Sequence, residues 1–151
     1  MKPKHSLTIL FLLVMNGFLG CTEDDVEKAV ILQSTSYKLH AISNSNISGK
    51  ATFTQEDNGS THVLIELEGA FTKENSAYIR FNRASVGGNV AITLKACECA
   101  ISNTTITKLD NGTPITYDGL LALNGHISIH KGDNPDDPIV AVADIGSNVA
   151  E

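Results

Sequence analysis

The feature that most constrains the fold is a strict alternation of apolar and polar residues in short runs. In THVLIELEG, Val63, Ile65 and Leu67 share one face of an extended chain, and mostly polar side chains share the other. Successive side chains of a β-strand point to opposite faces, so the pattern predicts a half-buried strand. The same alternation recurs in residues 77–82 and 126–130. The chain is therefore predicted to fold as β-structure.

Turn sequences rich in Asn, Asp and Gly separate the apolar runs, and Asn-Gly pairs favour tight hairpins. Eight strands are predicted, over residues 36–42, 48–55, 61–68, 76–82, 90–96, 102–108, 125–131 and 139–145. A short turn or single helical turn is expected around Leu120, Leu121 and Leu123. Short strands with antiparallel turns predict an all-β domain, an antiparallel Greek-key β-sandwich or small barrel. The predicted anchors of its core are Phe53, Phe71 and Phe81.

The N-terminus predicts export and a lipid anchor. MKPKHSLTILFLLVMNGFLGC has a basic start and an apolar run from Leu7 to Met15. That run is shorter than the roughly 20 residues of a transmembrane helix and fits a secretory signal. The cysteine that follows the small-residue exit resembles the lipobox of bacterial lipoproteins, although Phe18 stands where that pattern prefers Leu. The resemblance implies that residues 1–20 are removed and that Cys21 is acylated.

Residues 21–34 are predicted to be an acidic tether, followed by one folded domain over residues 35–151. The carboxylates of TEDDVEK, directly after Cys21, are similar to the export signal of surface lipoproteins in Bacteroidetes. Each acyl CH₂ buried in a bilayer contributes about 0.8 kcal/mol, so several chains on one cysteine hold a protein firmly. The expected location is the bacterial outer membrane, with the domain exposed at the cell surface.

The charge of the chain excludes one class of partner. The full sequence has 11 basic and 17 acidic residues, and Lys2 and Lys4 belong to the signal segment. The remaining chain is therefore strongly acidic. Nucleic-acid binding requires a basic footprint, which is lacking here. Docking on anionic lipid by charge is disfavoured for the same reason.

Three groups of residues are candidates for metal binding. His126 and His130 lie on one predicted strand with Cα atoms about 13 Å apart, too far to chelate one ion together, and we expect both to face solvent. Cys97 and Cys99 could form a small strained ring, remain reduced or bind a soft metal. The loop GDNPDDP offers oxygen ligands of the kind that Ca²⁺ prefers but lacks the EF-hand order. Its donors are Asp133, Asn134, Asp136 and Asp137.

Four blocks of the sequence carry a resemblance to a known family. They are SNISGKATFTQEDNGSTHVLIELEGA, SAYIRFNRASVGGNVAITL, DNGTPITYDGLLALNGHISIH and IVAVADIGSN. In this order they resemble the CHRD domain, named after chordin, in its form found in Bacteroidetes lipoproteins. The family is similar to Cu/Zn superoxide dismutase in its Greek-key β-sandwich. The resemblance covers nearly all of residues 36–148 and implies architecture more than reaction.

The sequence departs from the family at one informative place. Family members usually have a His-x-His pair before the FN block, where this chain has Tyr78 and Arg80. A guanidinium offers no lone pair and stays charged, so it repels a metal cation. The later His and Asp of the family are retained as His130 and Asp144. The resemblance therefore implies an incomplete metal site.

From these observations we expect a binding or structural module without catalysis and without a cofactor. Its partners would be the membrane, through the lipid anchor, and another surface protein or a glycan. Tyr78 and Arg80 are predicted to form an outward contact patch, because such residues are enriched at binding hot spots. The alternative is a dismutase-like metalloprotein using His130 with further donors. Those donors would be His40 or His62, with Cys97 and Cys99 as soft ligands.

Overall fold

A computed structural model describes residues 32–69 and 74–149, and within them the chain is almost entirely β-structure. The strands are β1 (Ser34–Ala41), β2 (Ser48–Gln55), β3 (Thr61–Glu68), β4 (Ala77–Phe81), β5 (Val90–Thr93), β6 (Ile101–Ile106), β7 (Asn124–His130) and β8 (Ile139–Gly146). The helix α1 spans Tyr117–Leu121. The predicted all-β fold with eight antiparallel strands is confirmed. The signal segment, Cys21 and Phe71 lie outside the described residues.

The eight strands form one antiparallel sheet in the order β5-β4-β7-β8-β1-β2-β3-β6. Strand β1 joins the two halves, because Ser34–Leu39 pairs with β2 while His40 and Ala41 pair with β8. The chain crosses between the halves after β3, β5 and β6, so that β3 neighbours β6 and β4 neighbours β7. Such non-local antiparallel neighbours are the mark of Greek-key connections.

The sheet curls around one apolar core. The inward side chains of both halves belong to a single buried cluster that includes Phe53, Ile65, Ile79 and Ile127, each fully buried. Phe53 packs edge-on against Tyr37, with ring centroids 5.2 Å apart. Burying one such side chain contributes about 1.5–3 kcal/mol, so the cluster supplies the main driving force for folding. Phe53 is thus confirmed as a core anchor.

Helix α1 closes one end of the core. The Thr116 side chain caps it by accepting a hydrogen bond from the Gly119 N–H at 3.2 Å. Leu120 is fully buried, and the Tyr117 hydroxyl bonds the Thr35 hydroxyl at 2.8 Å. The helical turn expected here is confirmed. Among the described residues, no helix has the length and hydropathy needed to cross a bilayer.

The two edges of the sheet, β5 and β6, approach each other without pairing as strands. The backbone N–H of Lys95 donates to Thr104 Oγ1 at 2.9 Å, and Ser102 Oγ donates to the Lys95 carbonyl at 2.6 Å. The Asp110 carboxylate accepts from the Thr93 N–H at 3.0 Å and from the Thr93 hydroxyl at 2.8 Å. Side chains thus bond the backbone of Thr93 and Lys95 at this seam, and these contacts close the curl of the sheet.

We predict that Asp110→Ala lowers the free energy of unfolding by about 1–2 kcal/mol, because it removes the acceptor of charge-assisted hydrogen bonds to Thr93. Urea denaturation followed by circular dichroism measures the loss. The matched control is Asp57→Ala, at an exposed aspartate of the β2–β3 turn, which should change the free energy by less than about 0.5 kcal/mol. Equal losses for the two variants would contradict the role given to Asp110.

Candidate functional site

The candidate site is the outward face of β4 and β7, which we call the covered polar face. Its side chains are Tyr78, Arg80, His126, Ser128 and His130. Pairing of the two strands places Tyr78 opposite Ser128 and Arg80 opposite His126. Two connections lie over this face, residues 82–89 between β4 and β5 and residues 131–138 between β7 and β8. The structure therefore brings most of the residues singled out in the sequence to one place.

Both imidazoles are buried, so the prediction that His126 and His130 face solvent is wrong. His126 is 2 % exposed and His130 is 1 % exposed. The two imidazoles do point away from the core, as predicted, because the alternating Ile127 and Ile129 point into it. The exposure is wrong because the two connections fold back over the outward side chains instead of leaving them in water.

His130 is held in one protonation state by its partners. Its Nδ1 lies 2.7 Å from the Asp137 carbonyl, which can only accept, so Nδ1 carries the proton. Its Nε2 then accepts from the Ser128 hydroxyl at 3.0 Å. Burial lowers the pKa of His130 and the Arg80 charge lowers it further, against the opposing effect of the Asp137 carbonyl. The imidazole is therefore neutral at physiological pH.

Arg80 connects the network to both covering loops. Its Nε donates to Ser128 Oγ at 3.2 Å, Nη1 to the Gly88 carbonyl at 3.1 Å and Nη2 to the Pro135 carbonyl at 2.6 Å. The guanidinium also lies 5.7 Å from the centroid of the Tyr78 ring. One side chain thus clamps the 82–89 and 131–138 connections to the sheet.

The contact patch expected at Tyr78 and Arg80 is not an open surface. Tyr78 is 6 % exposed, with its ring packed edge-on against His130 at a centroid distance of 5.3 Å. Arg80 is partly buried, and its guanidinium N–H groups donate hydrogen bonds to backbone carbonyls of both loops. The outward direction of both side chains was predicted correctly, but the 131–138 connection covers them, so the predicted exposure is corrected here.

His126 and Asp144 fasten the other loop. The two residues are cross-strand partners on β7 and β8. His126 Nδ1 lies 2.7 Å from the Asn82 carbonyl, and Asp144 Oδ1 accepts from the Ala84 N–H at 2.6 Å. Each side chain therefore binds the backbone of the 82–89 connection near its start.

No set of described residues assembles a metal centre. Within residues 32–69 and 74–149, no three His, Cys, Asp or Glu side chains converge for metal binding. His40 is exposed on β1 and His62 is partly buried on β3. The lone pair that His130 would offer to a metal already accepts the Ser128 hydroxyl. The acidic loop is tied within itself, since Asp137 Oδ2 accepts from the Asn134 N–H at 3.0 Å.

Cys97 and Cys99 are not joined by a disulfide in the structure. Cys97 and Cys99 are both free thiols. Cys97 is fully buried, and burial raises its pKa to about 12, so it is unreactive at physiological pH. Cys99 is exposed on the turn before β6 and has a positive φ of 49°.

Ser128 and His130 also have the spacing of a nucleophile and its base, with the imidazole oriented by a third group. Ser128, however, is fully buried, and its hydroxyl also accepts from Arg80. A substrate could not reach Ser128 Oγ without displacing a loop. The arrangement therefore fits a clasp that holds loops better than a catalytic dyad.

A scan against protein-family models matches no family, and a search of curated proteins gives no match. The resemblance to the CHRD domain therefore stays a prediction carried by the sequence blocks quoted above.

Sequence reasoning missed the roles of Ser128, Asn82 and Asp137. The latter two contribute backbone carbonyls, which no side-chain motif reveals. The available signal is the length of the two connections, eight residues each, where a tight hairpin needs two to five. Long connections beside a polar strand face suggest loops that fold over it.

We predict that acid destabilises the protein through His130. Unfolded histidine has a pKa of about 6.5, whereas the folded pKa is lower, so the unfolded chain binds the proton first as pH falls. Above the pKa of the unfolded chain, His130 makes its full contribution to the free energy of unfolding. This contribution declines as the pH falls from the unfolded pKa towards the folded pKa. Urea denaturation between pH 8 and pH 5 measures the decline, and His130→Asn should make it shallower. An unchanged slope in the variant would contradict the assignment.

We predict that Arg80→Lys loosens both covering loops, because an ammonium cannot reach three separated acceptors as the planar guanidinium does. Hydrogen exchange followed by mass spectrometry should show faster exchange in residues 82–89 and 131–138, with a loss of about 1–3 kcal/mol in the free energy of unfolding. The matched control, Arg83→Lys, changes an exposed arginine and should leave exchange unaltered. Faster exchange in only one loop would refute the double clamp.

Proposed function

We propose that this chain is a lipid-anchored module of the bacterial cell envelope with a binding or structural role and no catalysis. The observation that carries the proposal is the covered polar face, where Arg80, Ser128 and His130 are engaged with one another and with loop carbonyls. Groups held in this way stabilise a domain, and a substrate could reach the buried Ser128 and His130 only after a covering loop had moved.

The location in the proposal is supported by the sequence. The lipobox ending in Cys21 and the acidic tether resemble those of surface lipoproteins of Bacteroidetes. The antiparallel β-domain that follows has the architecture implied by the resemblance to the CHRD domain. Acylation of Cys21 would hold the domain at the outer membrane, with the tether between anchor and fold.

The surface proposed for a partner is the outward face of β1, β2, β3 and β6, which no loop within residues 32–69 and 74–149 covers in the way that loops cover β4 and β7. It is rich in hydroxyl groups, with Ser36 and Thr52 hydrogen-bonded at 3.0 Å across β1 and β2. An exposed ion pair between Lys50 and Glu66, 3.2 Å apart, lies on the same face. Such a polar, nearly neutral surface suits a glycan or the polar surface of another envelope protein.

The anchor is tested by metabolic labelling of cells that produce the full chain, using an alkyne-bearing palmitate analogue. We predict a labelled protein in the membrane fraction, and loss of the label with Cys21→Ser because the acylated thiol is gone. The control Cys99→Ser, at an exposed cysteine of the folded domain, should keep the label. Protease treatment of intact cells should degrade the wild-type domain if it faces outward.

An unlabelled wild-type chain, or a label that persists in Cys21→Ser, would contradict the anchor. Full resistance to protease in intact cells, with degradation after lysis, would contradict surface exposure while leaving the anchor in place.

A further inference from the structure

Two short hydrogen bonds hold the middle of the 131–138 connection to the sheet. Arg80 Nη2 donates to the Pro135 carbonyl at 2.6 Å. The Nδ1–H of His130 donates to the Asp137 carbonyl at 2.7 Å. Both donors belong to the same buried network, so a change of charge in that network acts on both bonds.

The base of this connection is fastened by the backbone. The Ser76 N–H donates to the Gly132 carbonyl at 2.9 Å. The Lys131 N–H donates to the Pro138 carbonyl, also at 2.9 Å. Between these points lie residues 133–137, which we call the lid and whose side chains are mostly exposed. Segments that bury little apolar surface open locally at low cost in free energy, so the lid can leave the sheet while its base stays in place.

The other covering connection, residues 82–89, is fastened independently of His130. The side chains of His126 and Asp144 each bind its backbone near its start. Arg80 contributes one further hydrogen bond near its end. A change at His130 should therefore release the lid and leave most of the contacts of the 82–89 connection in place.

A second proton on His130 would disrupt the network at Ser128. The Ser128 hydroxyl donates to His130 Nε2 at 3.0 Å and accepts from Arg80 Nε at 3.2 Å. Protonated Nε2 is a donor, so the hydroxyl would lose its acceptor and two cations would share one oxygen. Because His130 is 1 % exposed, water does not solvate the new charge. Separation of Arg80 from His130 relieves the repulsion and breaks their bonds to the lid.

The charges around His130 come from β4 and from the lid. The charged side chains that act on the imidazole are Arg80, Asp136 and Asp137. The guanidinium disfavours the imidazolium, and the two carboxylates favour it. The remaining neighbours are uncharged, since the Tyr78 ring packs edge-on against the imidazole and Ile139 is its cross-strand partner on β8. Burial is the largest effect and lowers the pKa of His130, so the closed state binds a proton more weakly than an imidazole in water does.

We propose that the lid is released by acid: protonation of His130 detaches residues 133–137 from the sheet and uncovers Tyr78 and Arg80, while the domain stays folded. The open state exposes an aromatic ring beside two cations. Because the exposed imidazole binds a proton more tightly, each fall of one pH unit raises the ratio of open to closed molecules by at most about tenfold. The inference goes beyond the proposed envelope function and holds whether or not Cys21 is acylated.

The lid is tested by hydroxyl-radical footprinting of the full chain in detergent micelles between pH 8 and pH 5, read by mass spectrometry. Tyr78 reports opening of the lid, because it is 6 % exposed and lies under the 131–138 connection. Tyr37, which is 7 % exposed in the core, reports unfolding of the whole domain. The labelling of Tyr78 relative to Tyr37 should rise several-fold as the pH falls below about 6.5, the ordinary pKa of histidine.

Three variants locate the trigger. His130→Asn keeps a donor and an acceptor without a titrating group, and it should abolish the rise in Tyr78 labelling. Asp136→Asn removes a carboxylate that favours the closed imidazolium, so it should increase labelling at pH 5.5 and leave it unchanged at pH 8. The matched control, Asp133→Asn, removes the same charge from the lid without touching the groups that shift the pKa of His130, and it should keep the wild-type profile.

Wild-type Tyr78 labelling that stays constant between pH 8 and pH 5 would overturn the proposal. A parallel rise at Tyr37 would mean that acid unfolds the whole domain, and a rise that persists in His130→Asn would place the trigger elsewhere. Either result overturns the lid as stated. If His130→Asn does not fold, the two aspartate variants decide, and equal profiles for them would contradict a trigger at His130.

Discussion

The half of the sheet that contains β4 and β7 depends on the guanidinium of Arg80. A planar cation with donors in three directions can bind Ser128 and two loop carbonyls at once, at distances between 2.6 and 3.2 Å. Because Ser128 in turn bonds His130, the same contact fixes the orientation and the neutrality of the imidazole. No single neutral side chain offers that combination. The covered polar face is therefore one cooperative unit rather than a set of separate residues.

The two halves of the curled sheet differ in what covers their outward faces. Loops of eight residues close over β4 and β7, and their carbonyls complete the hydrogen bonds of the buried polar side chains. The outward face of β1, β2, β3 and β6 carries hydroxyl groups paired across β1 and β2 and an exposed ion pair. The two faces therefore differ in structure, and the proposed contact surface is the open one.

The strands were predictable from local pattern because each alternates against the same core. The predicted ranges 48–55 and 61–68 coincide with β2 and β3, which pair with each other along their whole length and with a second neighbour along most of it. Strand β5 ends at Thr93 instead of residue 96, because Lys95 bonds side chains of β6 rather than a neighbouring strand. In the site, alternation gave the correct direction of His126 and His130. The alternation could not predict that the two histidines are buried, because the loops that cover them contact them only in the folded chain.

The central claim is that the network around Arg80 and His130 is a clasp between sheet and loops and not a metal centre. The most direct test is elemental mass spectrometry of the purified full chain in detergent, after dialysis against trace copper, zinc and calcium. The account predicts far less than one equivalent of any of these metals, with no difference between wild type and His130→Ala. Near-stoichiometric copper or zinc that disappears in His130→Ala would contradict it and would make this face a metal site.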